Sequence, residues 1–172
     1  MSFVSPQRLV FGALLLLLII AGELAFGALH VPAWPAFMIM IFFFVEHMNV
    51  KKIPEILVGA VVGIASILLA GPLVAFLGPL VGTEIARLIF IALVVYAIVA
   101  LGEAIPVIFN NYAFMFLTVT ALAMTGPNPA PFVWMAVEVV GGSVLIAGIL
   151  GIGKLMAVLA PAPVSVSATA PQ

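Results

Sequence analysis

The residues with the most chemical meaning in this chain are carboxylates set in apolar sequence. Six acids occur, all glutamates: Glu23, Glu46, Glu55, Glu84, Glu103 and Glu138. Glu23, Glu103 and Glu138 lie within long apolar runs. A charge near the centre of a bilayer costs roughly 2.5–3.5 kcal/mol on insertion scales, so each of the three needs a partner, a protonated state or water. Two readings follow. In one, the carboxylates belong to a polar path that titrates or contacts cations. In the other, each is a protonated acid hydrogen-bonded to a neighbouring helix. The first is favoured, because Gly22-Glu23 and Gly102-Glu103 occupy matching places in the two halves of the chain. Glu138, whose counterpart is Val61, breaks that symmetry.

Three further polar groups extend the set. Glu46-His47 stands at the end of an apolar run, just before Lys51-Lys52. An unperturbed imidazole titrates near pH 6.5, so His47 is a candidate proton relay. A polar cap with anchoring lysines is the plainer account and is preferred. Thr118 lies within a short apolar segment, where a hydroxyl serves either a path or its own helix backbone. Glu55, just after Pro54, and Glu84 read as structural acids near segment ends, where the helix dipole favours them. His30 and Trp34 read as anchors at the opposite interface. The sequence has no P-loop glycines, no nucleophile elbow and no His-Glu-x-x-His pattern, so no enzyme is expected. With two histidines and no cysteine, neither a metal centre nor a cofactor is expected.

These groups have to be held by elements suited to their solvent. Of 172 residues, 66% are hydrophobic and 6% charged, and the mean hydropathy is +1.46. A soluble domain carries roughly a quarter charged residues. Such a surface requires the lipid bilayer as its partner, and backbone in lipid must be helical or a closed barrel. A net charge of -1 offers no basic surface for nucleic acid. Arg8 followed by Leu9–Ala21 has the look of a signal peptide, but the apolar run continues to Leu29 and further spans follow.

About 20 residues are needed to cross the hydrocarbon core. Six segments result: Leu9–Leu29, a short one at Phe37–Val45, Pro54 to about Gly71, Arg87–Ile108 interrupted near Glu103 and Pro106, a short one at Tyr112–Met124, and Pro131 to Leu159. Pro72, Gly78, Pro79 and Gly82 predict an irregular connection. The expected fold is therefore an all-α integral membrane protein of about six transmembrane helices. Arg8, Lys51, Lys52 and Lys154 fall on one side and Arg87 on the other, which predicts cytoplasmic termini in a bacterial inner membrane.

The two halves repeat. Ala36-Phe37-Met38 recurs as Ala113-Phe114-Met115, and at the same offset Pro54 meets Pro131 and Gly71 meets Gly148. Residues 1–83 and 84–160 thus read as two three-helix repeats, with 161–172 a disordered tail. An odd number of helices per repeat inverts the second half, and the short second helices mark the region where such proteins bind their solute. Gly59, Gly63 and Gly71 on the third helix, and Ser143, Ala147 and Gly151 on the sixth, predict close helix packing or dimerisation.

The run Val31-Pro32-Ala33-Trp34-Pro35-Ala36 follows an apolar helix. A short helix comes next, then Gly59-x-x-x-Gly63, and the second half repeats the pattern with Tyr112 opening its short helix. Over about residues 7–156 this resembles small bacterial inner-membrane proteins of a domain of unknown function. It also resembles the membrane half of fusaric-acid-resistance and aromatic-acid-exporter proteins. The resemblance implies a six-helix bundle and a transport role. It departs at Ile56, where exporter sequences tend to carry arginine, and in lacking their large soluble domain. No substrate or binding residue is carried over.

The expectation from the whole sequence is a small-solute transporter or channel, proton-coupled and acting as a homo-oligomer. Its rival is a non-transporting scaffold or partner subunit.

Overall fold

The computed structural model describes residues 5–159, and every regular element among them is helical. Helix α1 (Pro6–Ala28) starts where Ser5 caps it, its side chain accepting from the Arg8 N–H at 3.3 Å, with proline in the first turn. Helices α2 (Trp34–Val45), α3 (Ile53–Val81), α4 (Thr83–Leu101) and α5 (Asn111–Ala123) follow. The last helix begins as α6 (Pro131–Ala136), widens through a π-helical turn at Val137–Gly141, and continues as α7 (Gly142–Leu159). Among the described residues, four helices are long and apolar enough to cross a membrane: Pro6–Ala28, Val50–Val81, Thr83–Leu101 and Pro131–Leu159. These observations are consistent with a membrane protein. The tail expected over 161–172 lies outside the described residues.

Two expectations about element ends need correcting. The irregular connection expected over 72–82 is helical, and α3 runs through Pro72 and Pro79 to Val81. Each proline removes one ladder bond, but apolar surroundings offer the rest of the backbone no partner other than its own helix. Only Gly82, at φ 89°, breaks the chain there. It joins α3 to α4 as a hairpin with a single linking residue. The fourth helix, expected to reach Ile108, ends at Leu101. Pro106 disfavours helical geometry at Ile105, and residues 102–110 form turns instead. Glu103 therefore stands outside the helix that was expected to hold it.

The core is made by the two short helices and the elements they touch. Ala36, Ile39 and Phe43 of α2 and Ala113 and Phe116 of α5 are wholly buried. α1 buries no residue, and α4 buries only Ala86 and Phe90. α5 lies along α3, α2 along the π-turn and α7, α4 along α3, and α1 along α7.

Directions follow from residue contacts. Gly59 meets Asn110 and Gly63 meets Ala113 and Phe116, so α3 and α5 run parallel. Gly141 meets Ala36 and Gly142 meets Ile39, which makes α7 parallel to α2. Leu18 packs on Gly148 and Phe26 on Gly141, so α1 is antiparallel to α7. One end of the bundle, called here the near end, gathers the start of α1, the end of α7, the end of α2 and the starts of α3 and α5.

Candidate functional site: a buried carboxyl in a π-helical turn

Glu138 is the outstanding polar group of the interior. It is 0% exposed, and neither carboxyl oxygen has a hydrogen-bond partner. Neither of the ion pairs seen among the described residues involves it: these join Lys52 to Glu55 at 2.6 Å and Arg87 to Glu84 at 3.4 Å. Burying an unpaired ionised carboxylate costs tens of kcal/mol in the idealised limit, so this group has to carry a proton or meet a cation. The turn that holds it is also unusual. π-helical turns occur as single insertions in α-helices, frequently at functional sites.

The π-turn packs on α2 and α3 on one side. On the other it walls an apolar groove of about 710 Å³ against α1, where Val137, Val140 and Gly141 face Ala21, Gly22 and Ala25.

The insertion has a geometric use. Gly63 of α3 receives Ala113 and Phe116, and a Cβ there would come 2.5 Å from the Ala113 carbonyl. Gly141 and Gly142 receive Ala36 and Ile39, the residues 77 positions before Ala113 and Phe116. Yet Gly141 is 78 positions after Gly63. The extra residue of the π-turn absorbs the difference, so equivalent contacts form in both halves.

The small-residue stripe expected on the last helix is not the packed one. Ser143, Ala147 and Gly151 are exposed, and a Cβ on Gly151 would meet nothing within 4 Å. Gly141, Gly142 and Gly148 do the packing there. On α3, Gly59 and Gly63 pack tightly, but Gly71 faces open space.

An aromatic set lies one turn from Glu138. Trp134 precedes it by four positions, and such residues share a helix face. Trp134 meets Trp34 of α2 at a ring-centroid distance of 5.6 Å, edge to face. Trp34 meets Phe116 of α5 at 6.3 Å. Four residues beyond Phe116 stands Thr120, 0% exposed, its hydroxyl also without a partner. Glu138 and Thr120 thus each stand four positions after a ring of one continuous series of aromatic contacts, Trp134–Trp34–Phe116. Beyond Phe116 the series continues to Phe42 at 6.0 Å and on to Tyr112 at 5.2 Å.

The near end is closed by polar bonds. Tyr112 donates to Glu46 Oε1 at 2.5 Å. Asn110 caps α5, its Oδ1 accepting from the Ala113 N–H at 2.9 Å. Its Nδ2 donates to the carbonyls of Glu55, Pro106 and Val107. Gly59 leaves the room for that side chain; a Cβ would overlap it.

The other expected site residues do not join Glu138. Glu23 is exposed on α1, and Glu103 is exposed in the turn after α4. The three carboxylates therefore share no cavity. Glu46 is half-buried and meets Tyr112, with His47 exposed beside it. His47 and Met48 take the left-handed conformation, at φ 52° and 59°, and end α2. Thr118 is exposed and donates to its own helix at the Phe114 carbonyl, 2.9 Å away. Sequence reasoning had not singled out Trp134 or the Asn110–Gly59 contact, and it read Thr120 with Thr118 as a hydroxyl serving its own helix, whereas the Thr120 hydroxyl has no partner. Asn110-Asn111-Tyr112 does open the fifth helix, as the sequence suggests, with Asn110 as its cap.

No family model, curated protein or solved structure matches the chain.

Proposed function

We propose that this chain is a small-solute transporter of a bacterial inner membrane, coupled to protons through Glu138. The observation that carries the reading is the fully buried carboxyl without a partner, set in a π-turn between α2 and α3. An ionisable group inside a spanning segment is costly, and its usual justification is a substrate or proton path.

Helix directions support two inverted three-helix repeats. α3 with α5 and α4 mirrors α7 with α2 and α1, in partner and in sense. An inverted repeat places its solute between the halves, where the short helices α2 and α5 meet. α2 and α5 have 12 and 13 residues. At 1.5 Å per residue each is about 18–20 Å long, short of the roughly 30 Å hydrocarbon core. Flanking turns then complete each crossing. Four cations gather at the near end, which makes that end cytoplasmic by the positive-inside rule. Glu23, exposed on α1, is a lone acid on an apolar surface and favours assembly as an oligomer.

The test uses proteoliposomes loaded with a pH-sensitive dye and challenged with choline, benzoate and alanine as cation, anion and zwitterion. At least one should move the internal pH, and Glu138→Gln should abolish that movement. Coupling that survives in Glu138→Gln removes Glu138 from the mechanism.

The rival reading is a non-transporting membrane subunit. It is favoured by the exposed stripe Ser143, Ala147 and Gly151, a surface suited to close helix approach. Co-purification of one stoichiometric partner, with no movement of any probe, would decide for it.

A further inference from the structure

We infer that the solute bound beside Glu138 is a small organic ammonium cation, held by the carboxyl and an aromatic cage. This deepens the transporter reading above and rests on it. A cation of this kind needs two things. It needs a counter-charge in a dry site, where the interaction is much stronger than in water. It also needs ring faces, whose negative quadrupoles attract a poorly hydrated cation. Glu138 is the counter-charge, unpartnered and 0% exposed. Trp134, one turn away, with Trp34 and Phe116, supplies three rings from α6, α2 and α5 in consecutive contact. Thr120, one turn from Phe116, adds an unpartnered hydroxyl oxygen that can accept from an N–H donor. An anion would meet a carboxyl and ring faces, both repulsive. A neutral polar solute would gain only two hydrogen-bonding side chains.

The same carboxyl then serves proton and solute in turn. When the acid gives its proton to water, the carboxylate pairs with the ammonium; when it takes one back, the cation is released. The other titratable side chains on the elements around Glu138 are exposed or already bonded: α1, across the groove, carries the exposed Arg8 and Glu23, and α5 carries Tyr112, bonded to Glu46. α2 carries no titratable side chain. α3 carries only Glu55, bonded to Lys52, and α6, the π-turn and α7 carry, besides Glu138, only the exposed Lys154. Acidification should therefore weaken cation binding.

Trp34 and Trp134 are the only two tryptophans of the chain, so intrinsic fluorescence reports on the cage directly. The purified full chain in detergent is titrated with choline chloride, with sodium chloride, and with 3,3-dimethylbutanol, the uncharged isostere of choline. The expected result is a saturable change with choline, and likewise with methylammonium chloride, but not with sodium or the uncharged isostere, weaker at acid pH and about tenfold or more weaker in Glu138→Gln. Thr120→Val should weaken methylammonium, which can donate to a hydroxyl, more than choline, which lacks an N–H. No saturable response to either cation, or an equal response to the uncharged isostere, overturns the inference on the wild-type protein alone. The proteoliposome panel separates the two claims. Glu138-dependent movement of benzoate or alanine, with choline inert, sinks the cation and keeps the transporter. Saturable, Glu138-dependent cation binding without movement of any probe keeps the site and sinks transport.

Discussion

Tyr112 and Glu46 stand 66 positions apart in sequence and 2.5 Å apart in space. Their bond ties the end of α2 to the start of α5, and so joins the two halves of the chain at the near end. Tyr112 is 8% exposed, while Glu46 keeps partial contact with its surroundings. Tyr112→Phe should lower the unfolding free energy by about 1–3 kcal/mol, the range for leaving a partly buried hydrogen-bonding group without its partner. Glu46→Gln keeps an acceptor and should cost less. Reversible unfolding in mixed detergent measures both, and the double variant should lose less than the sum of the two. Strict additivity would mean that the two side chains do not act on one another.

The glycines divide into two groups that substitution can tell apart. At Gly63 an added methyl would sit 2.5 Å from a backbone carbonyl and 2.6 Å from the Phe116 Cβ, and neither can swing aside. Gly63→Ala should cost several kcal/mol or prevent folding, in the class of overpacked cores. Gly59→Ala displaces the Asn110 side chain and forfeits a cap worth about 0.5–2 kcal/mol, besides its three carbonyl contacts. Gly71→Ala and Gly151→Ala meet open space and should change stability by less than about 1 kcal/mol, in the stabilising direction if at all. Thermal unfolding of the four variants in one detergent orders them. Equal effects at Gly63 and Gly71 would contradict the packing described.

Membrane topology follows from the helix directions and is open to chemical labelling. The chain has no cysteine, so single cysteines report without background. Arg8→Cys, Lys51→Cys and Lys154→Cys should react with an impermeant maleimide only when the cytoplasmic face is exposed. Arg87→Cys should react from the opposite face. Lys51 is the informative position, since it shares a side with Arg8 only if α2 crosses despite its 12 residues. Labelling of Lys51→Cys from the face opposite Arg8→Cys, with Arg87→Cys then on the Arg8 side, would make α2 re-entrant and end the six-crossing reading.

Hydropathy made the long helices legible, and Pro54 and Pro131 marked where α3 and α6 begin, whereas α1 starts at Pro6, three residues before the expected Leu9. It could not say which side of each helix faces inward. A helix that is apolar all round carries no amphipathic stripe, so the orientation of Glu23 and Glu138 is set by packing alone. The same pattern of letters places one acid on the outside of α1 and the other at 0% exposure. The 77-residue offset was readable from Ala36-Phe37-Met38 and Ala113-Phe114-Met115. The π-turn was not, because one added residue in an apolar run leaves hydropathy unchanged while turning everything after it. The stripe expected at Ser143, Ala147 and Gly151 lies outside, and Gly141 and Gly142 make the close contacts.

Deletion of one residue from the π-turn separates what the turn does for the fold from what it does for Glu138. Pro54 to Gly63 spans nine positions of regular helix, and Pro131 to Gly141 spans ten with the π-turn included. Removing Val139, which is exposed, gives the second half the spacing of the first. Trp134 should keep its contact with Trp34, and Gly141 should still receive Ala36, because both flanks return to the register that works in α3. Helical content by circular dichroism should therefore hold, and the unfolding midpoint should fall little. The widened turn around Glu138 is lost, and with it the fluorescence response to choline and the coupled pH change in proteoliposomes. If the deletion variant failed to fold, the π-turn would be a packing requirement and not a one-residue insertion into a sound helix. If it folded and kept its choline response, the wide turn would have no part in the site, and Glu138 would act from an ordinary helical position.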